Sequence, residues 1–278
     1  MLAETTTGFP FDIRTGASSA GNAAIILAAF ALTIIILLLG SADLRRDKMS
    51  SFVLRPFLVA FIGNLIAAFQ FIVVQSDRSL DERTFALIIP AEFLAVVATT
   101  LMLFGIMLAV LRRFAEREVR RLAVFLFAIA GLYSIGVLHF GIDALLHAHQ
   151  RHLGSHGNLH AQVALGVWTP ALLLIPLELA NRHLKFTPER LHNIMLWLVG
   201  IVIAASLLAF AVSNLFMQAD DARDHVILPV AVFTLVVIQW LVFGSCLYLL
   251  RHFDDLEVLF PPPSGNAQEG DGGIPTAV

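Results

Sequence analysis

The sequence predicts an all-α, polytopic membrane helical bundle of about seven transmembrane helices, with its N-terminus outside the cytoplasm and its C-terminus inside. Three observations predict it. Of 278 residues, 58% are hydrophobic and only 14% charged, with a mean hydropathy of +0.82, a balance outside the range of soluble domains. The apolar runs are continuous rather than alternating, and lipid offers no water to unpaired peptide groups. Runs of this kind are therefore helices and not barrel strands. The basic residues also segregate: thirteen of eighteen fall in alternate connections, which the positive-inside rule places in the cytoplasm.

About 20 apolar residues cross the hydrocarbon core, and seven segments qualify. Residues 1–18 carry Glu4, Asp12 and Arg14 in place of a basic signal-peptide start, so this segment reads as extracytoplasmic and the run 19–40 as the first span. Arg45, Arg46 and Lys48 then lead into 52–75, which holds Asn64 and Gln70. The third span, 84–111, contains Pro90, Glu92, Thr99 and Thr100, and five arginines between 112 and 121 separate it from 122–148. A His-rich loop follows, then spans at 160–181, 191–216 and 225–250. Pro90, Pro170, Pro176 and Pro229 lie in or near the spans, where neighbouring helices satisfy the freed carbonyls and local kinks are expected. The seven spans form a transmembrane domain over 19–250. From 251 the chain is expected to be a disordered cytoplasmic tail, because Pro and Gly dominate from Pro261 onward. The expected location is a bacterial cytoplasmic (inner) membrane. No internal repeat of the kind that marks many transporters is visible.

Several function classes drop out. No basic tract suggests nucleic acid. Cys246 is the one cysteine, so neither an intrachain disulfide nor a Cys-based zinc pattern exists. A seven-helix retinal receptor needs a lysine inside the last span, and the two lysines, Lys48 and Lys185, lie in connections. A membrane di-iron desaturase would need several His boxes on the cytoplasmic side.

Chemistry concentrates in the outer half. His139, Asp143 and His147 recur at i, i+4 on the fourth span, which sets them along one helix face. His149, His152 and His156 are expected in the following loop, and His160 opens the fifth span. A carboxylate and two imidazoles held by two helix ends make a three-ligand metal site with open positions, suited to copper, zinc or iron. The competing reading is a set of solvated interfacial residues. Glu92 and Asn214 lie at the same level and His225 just outside it, and all three are candidates for supporting or alternative ligands, together with His139. Asn64, Gln70, Thr99, Thr100 and Gln239 are expected to be interhelical hydrogen-bonding glue, and Glu178 is expected to snorkel or pair with Arg182.

The stretch Asp143-Ala-Leu-Leu-His147, twelve intervening residues and His160 resembles the metal motif of the C subunit of the copper-dependent membrane monooxygenases, the particulate methane and ammonia monooxygenases. Residues 92–105 (EFLAVVATTLMLFG) and the basic turn AEREVRR resemble that family's neighbouring segments. The resemblance covers roughly 84–240 and implies a divergent member. It implies copper bound by Asp143, His147 and His160, and A-type and B-type partner subunits in an oligomer within the bilayer. The activity it implies is oxidation of a small apolar or ammonia-like substrate by dioxygen. Asn214 falls where the family places an asparagine of a second metal site, while that site's two histidines are replaced by Gln218 and a residue near Ala231. The alternatives are a non-catalytic descendant keeping the site, an outward-facing metal-binding or transport protein in which Glu92 relays a cation, or a retinal-free sensor.

Overall fold

A computed structural model describes residues 13–40, 48–76, 82–114, 116–153, 159–169, 172, 187–215 and 224–253. Seven α-helices account for almost all of them: α1 (Ile13–Gly40), α2 (Lys48–Ser76), α3 (Glu82–Arg113), α4 (Arg117–Leu153), α5 (Leu159–Trp168), α6 (Pro188–Leu215) and α7 (Asp224–Arg251). No strand occurs among the described residues. Six helices are long and apolar enough to cross a membrane; α5 is the exception, with ten described residues. The chain is therefore an α-helical, multi-pass membrane-type bundle. The tail beyond Phe253, Glu178, Arg182 and His156 lie outside the described residues.

Several helices extend beyond the spans expected from sequence, and two starts illustrate the local causes. The sixth span starts at Pro188, where the Thr187 hydroxyl accepts the Arg190 amide at 3.4 Å and the Thr187 carbonyl accepts that of Leu191 at 3.1 Å. Threonine at the N-cap followed by proline at the first helical position suits a helix start, since proline lacks the amide that would go unsatisfied there. The first span starts at Ile13 instead of residue 19, because Ala, Ser and Gly in that stretch neither break the helix nor demand a loop.

The third helix is the hub. It packs against α2, α4, α6 and α7, while α1 lies outside and covers mainly α2. Its buried side, including Phe93, Leu94, Val97, Leu101, Phe104 and Leu108, is the centre of the core. Helices α1 and α4 leave large apolar side chains outward, among them Ile26, Leu37, Phe125 and Phe140, as lipid-facing surface requires. Small residues set the closest approaches. A Cβ on Gly131 would collide with the Phe243 ring, so glycine there lets α7 seat an aromatic side chain against the α4 backbone.

Polar residues tie the seams, though not all as expected. Gln70 and Ser206 bridge α2 and α6: the Gln70 amide donates to the Ser206 carbonyl at 2.9 Å and the Ser206 hydroxyl donates to Gln70 Oε1 at 2.8 Å. Gln239 donates to the Thr100 hydroxyl at 3.1 Å, joining α7 to α3. Asn64 and Thr99, expected as interhelical glue, instead donate to carbonyls one turn earlier on their own helices, Ala60 and Ala95. Side chains this short reach the i−4 carbonyl more readily than a neighbouring helix.

Candidate metal centre

The bundle has a basic end and an opposite end. His192, near the start of α6, is fully buried and stacks on Phe52 near the start of α2, with ring centroids 3.8 Å apart. It also lies 6.5 Å from Phe104 in the second half of α3, and Arg55 of α2 donates to Asn193 of α6 at 3.3 Å. These contacts gather the starts of α2 and α6 with the end of α3. Residues 114–116 join α3 directly to α4, so Arg55, Arg112, Arg113, Arg117, Arg120, Arg121 and Arg190 share that end. Glu92, His139 and Asp143 lie toward the other.

Helix α4 runs unbroken through Leu153. His149 and His152, expected in a loop, are therefore on its last turns, because Ala148, Gln150 and Arg151 continue a good helix-forming run up to Gly154. Unbroken helix also keeps Asp143 and His147 one turn apart, about 6 Å along the axis. His160 is the second residue of α5, which packs against α4. The side chains of His147, His149, His152, His160, Asn214 and His225 lie outside the described residues, as does that of Glu178.

Of the candidates whose side chains are described, His139 is partly buried. Its ring centroid lies 6.3 Å from that of Trp168 on α5 and 5.4 Å from that of Phe140, and its Nδ1 is buried without a hydrogen-bond partner among the described residues. Trp168 in turn meets Trp240 of α7 edge to face at 6.0 Å. The Trp240 indole donates to the Val167 carbonyl at 2.7 Å, satisfying one of the last carbonyls of α5. This aromatic brace fixes α5 beside the His139 side of α4. Asp143 lies one turn further along that side and is also partly buried.

Glu92 reaches α4 elsewhere. A Cβ built on Gly141 would meet Glu92 Oε2 at 2.6 Å, so the carboxyl group occupies the space that glycine leaves, and Oε2 is buried without a partner among the described residues. At about 100° per residue, Gly141 is on the opposite flank of α4 from His139 and Asp143. Buried Leu138 and Ile142 form the ridge between the flanks. The structure thus brings Asp143 and His139 together on the α5 side and places Glu92 in the α3–α4 seam.

Among the described residues no three His, Cys, Asp or Glu side chains gather as a metal site, and the side chains of His147 and His160 lie outside those residues. By residue type, a carboxylate and two imidazoles suit a cation; along the backbone Asp143 and His147 are one turn apart on α4 and His160 is near the start of α5, while the buried His139 Nδ1 has no hydrogen-bond partner among the described residues.

One buried group was missed in the sequence. His192 has neither ring nitrogen hydrogen-bonded among the described residues. An unsatisfied buried polar atom costs about 1–3 kcal/mol. The signal available was a histidine between apolar residues near a span's basic start, which the stronger His cluster of the fourth span overshadowed.

Comparison with known proteins adds no relative: no family model matches the chain, and no match is found among curated proteins or solved structures.

Proposed function

We propose that the chain is a membrane-embedded metal-binding subunit whose centre is formed by Asp143, His147 and His160 at the end of the bundle away from the arginines. One observation carries the reading: α4 remains helical through Leu153, so Asp143 and His147 keep chelating i, i+4 spacing while His160 enters on the neighbouring helix. Asp143 supplies the negative charge, and the two imidazoles bind as neutral donors. His139, one turn before Asp143, orients the carboxylate or supplies a fourth donor. The ligand types admit copper, zinc or iron, and the family resemblance selects copper. Bound there, copper would supply dioxygen activation for a C-type monooxygenase subunit working with A-type and B-type partners. The chain's own contribution is to hold the ion, exclude water through the Trp168–Trp240 brace, and admit small apolar substrate from the lipid side. In this reading the arginine-rich end faces the cytoplasm of a bacterial inner membrane, which sets the N-terminus outside and the C-terminus inside.

Protein purified in detergent and loaded with cuprous ion should retain about one copper per chain, and His147→Ala with His160→Ala should lose it while the far-ultraviolet helix signal stays unchanged. Equal copper content in the double variant sinks the proposal. A second reading, cation transport, is favoured by the unpartnered Glu92 oxygen inside the α3 span. It requires metal flux into sealed vesicles that Glu92→Gln abolishes, whereas a monooxygenase subunit gives no flux.

A further inference from the structure

The α3–α4 hairpin is the most strongly charged patch among the described residues: within residues 112–121 stand five arginines, Arg112, Arg113, Arg117, Arg120 and Arg121, against Glu116 and Glu118. Arg113, Arg117 and Arg121 are exposed and make no hydrogen bond or ion pair among the described residues. Arg117 and Arg121 are one turn apart on α4, and Arg113 closes α3 across the short turn.

Further along α4, several large apolar and aromatic side chains point outward. Phe125 is 60% exposed, Ile129 51% and Phe140 72%, and a Cβ on Gly136 would meet nothing within 4 Å. The other side of α4 is spent on α3, α5 and α7. One unbroken surface therefore passes from three uncommitted guanidinium groups at the membrane edge to a lipid-facing stripe with a notch at Gly136, bounded by aromatic rings.

We propose that this surface is a binding site for one anionic diacyl phospholipid, its phosphate held by Arg113, Arg117 and Arg121 and an acyl chain laid along Phe125, Ile129 and the Gly136 notch. Charge complementarity selects the head group: guanidinium forks pair with phosphate oxygens bidentately, and a net positive surface excludes a zwitterion from equal standing. Continuity with the stripe selects a lipid over a free anion, because a soluble phosphate gains nothing from the apolar notch. The arginine end of the site is remote from the metal centre, while its apolar end at Gly136 lies one turn before His139 and Phe140.

Native mass spectrometry of the whole chain, delipidated in detergent and then offered phosphatidylglycerol or phosphatidylcholine with identical chains, tests it directly. One phosphatidylglycerol should be retained in strong preference to phosphatidylcholine, with the preference falling about fivefold for each arginine changed to glutamine. Gly136→Leu, which fills the notch, should lower retention of phosphatidylglycerol without altering the head-group preference. Equal retention of the two lipids by the unaltered protein overturns the proposal, as does an unchanged preference in the folded Arg113→Gln, Arg117→Gln, Arg121→Gln protein. Displacement by equimolar inorganic phosphate would reassign the arginines to a free anion. A lipid-free dimer that Gly136→Leu dissociates would reassign the face to a second copy of the chain.

Discussion

Gln70 and Ser206 exchange two hydrogen bonds across the α2–α6 seam, one from the Gln70 amide to the Ser206 main-chain carbonyl and one from the Ser206 hydroxyl to Gln70 Oε1. Interhelical pairs in lipid contribute about 0.6 kcal/mol on average and reach about 1.7. A double-mutant cycle with Gln70→Leu and Ser206→Ala, followed by unfolding in mixed detergent, should give a coupling near that average, because Ser206→Ala leaves the bond to the Ser206 carbonyl in place. Additivity within a few tenths of a kcal/mol would show the pair to be incidental. Glycines on one helix separate packing from lipid contact. Gly131→Ala forces the Phe243 ring from its seat and should destabilise by about 1–3 kcal/mol, whereas Gly136→Ala, with open space around it, should stabilise by about 0.5–1 kcal/mol through helix propensity. Equal effects would mean that α4 and α7 do not pack through Gly131.

Helix α5 is tied to its neighbours by named contacts. The bond from Trp240 to the Val167 carbonyl, together with the Trp168 contact, holds its described residues against α7. Trp240→Phe keeps an aromatic ring but removes the indole donor and part of its buried volume. It should cost about 1 kcal/mol and speed amide exchange across 159–168 while α2 and α3 stay protected; uniform exchange across the chain would contradict this. A metal centre that draws His160 from α5 would then lose affinity along with the brace, which ties the aromatic contact to the proposed chemistry. Helix α6 shows the complementary case, with a start fixed locally by Thr187 and Pro188.

For the molecule as a whole, the gathering of arginines at one end follows from side-chain contacts independent of any charge rule, since Phe52, Phe104 and His192 meet there. Opposite ends should face opposite compartments. Single cysteines placed at Arg121 and at Gly157, with Cys246 buried, should be modified by an impermeant maleimide from opposite sides of sealed membrane vesicles, Arg121 from the cytoplasmic side in the proposed orientation. Labelling of both from one side would refute the crossing of α4.

The sequence by itself determined the helical class, six of the span positions and the spacing of Asp143 and His147, because apolar length and helical period are local properties that lipid enforces without reference to partners. It could not decide where polar side chains turn. Gln70 and Gln239 cross to other helices while Asn64 and Thr99 bond back to their own, and only the separation of neighbouring backbones sets which carbonyl or hydroxyl is in reach. Nor could it show that Glu92 meets α4 at Gly141, on the far flank from His139 and Asp143, or that His192 lies buried against Phe52. Both depend on the rotation of one helix against another, which is fixed by close packing among residues far apart in the chain.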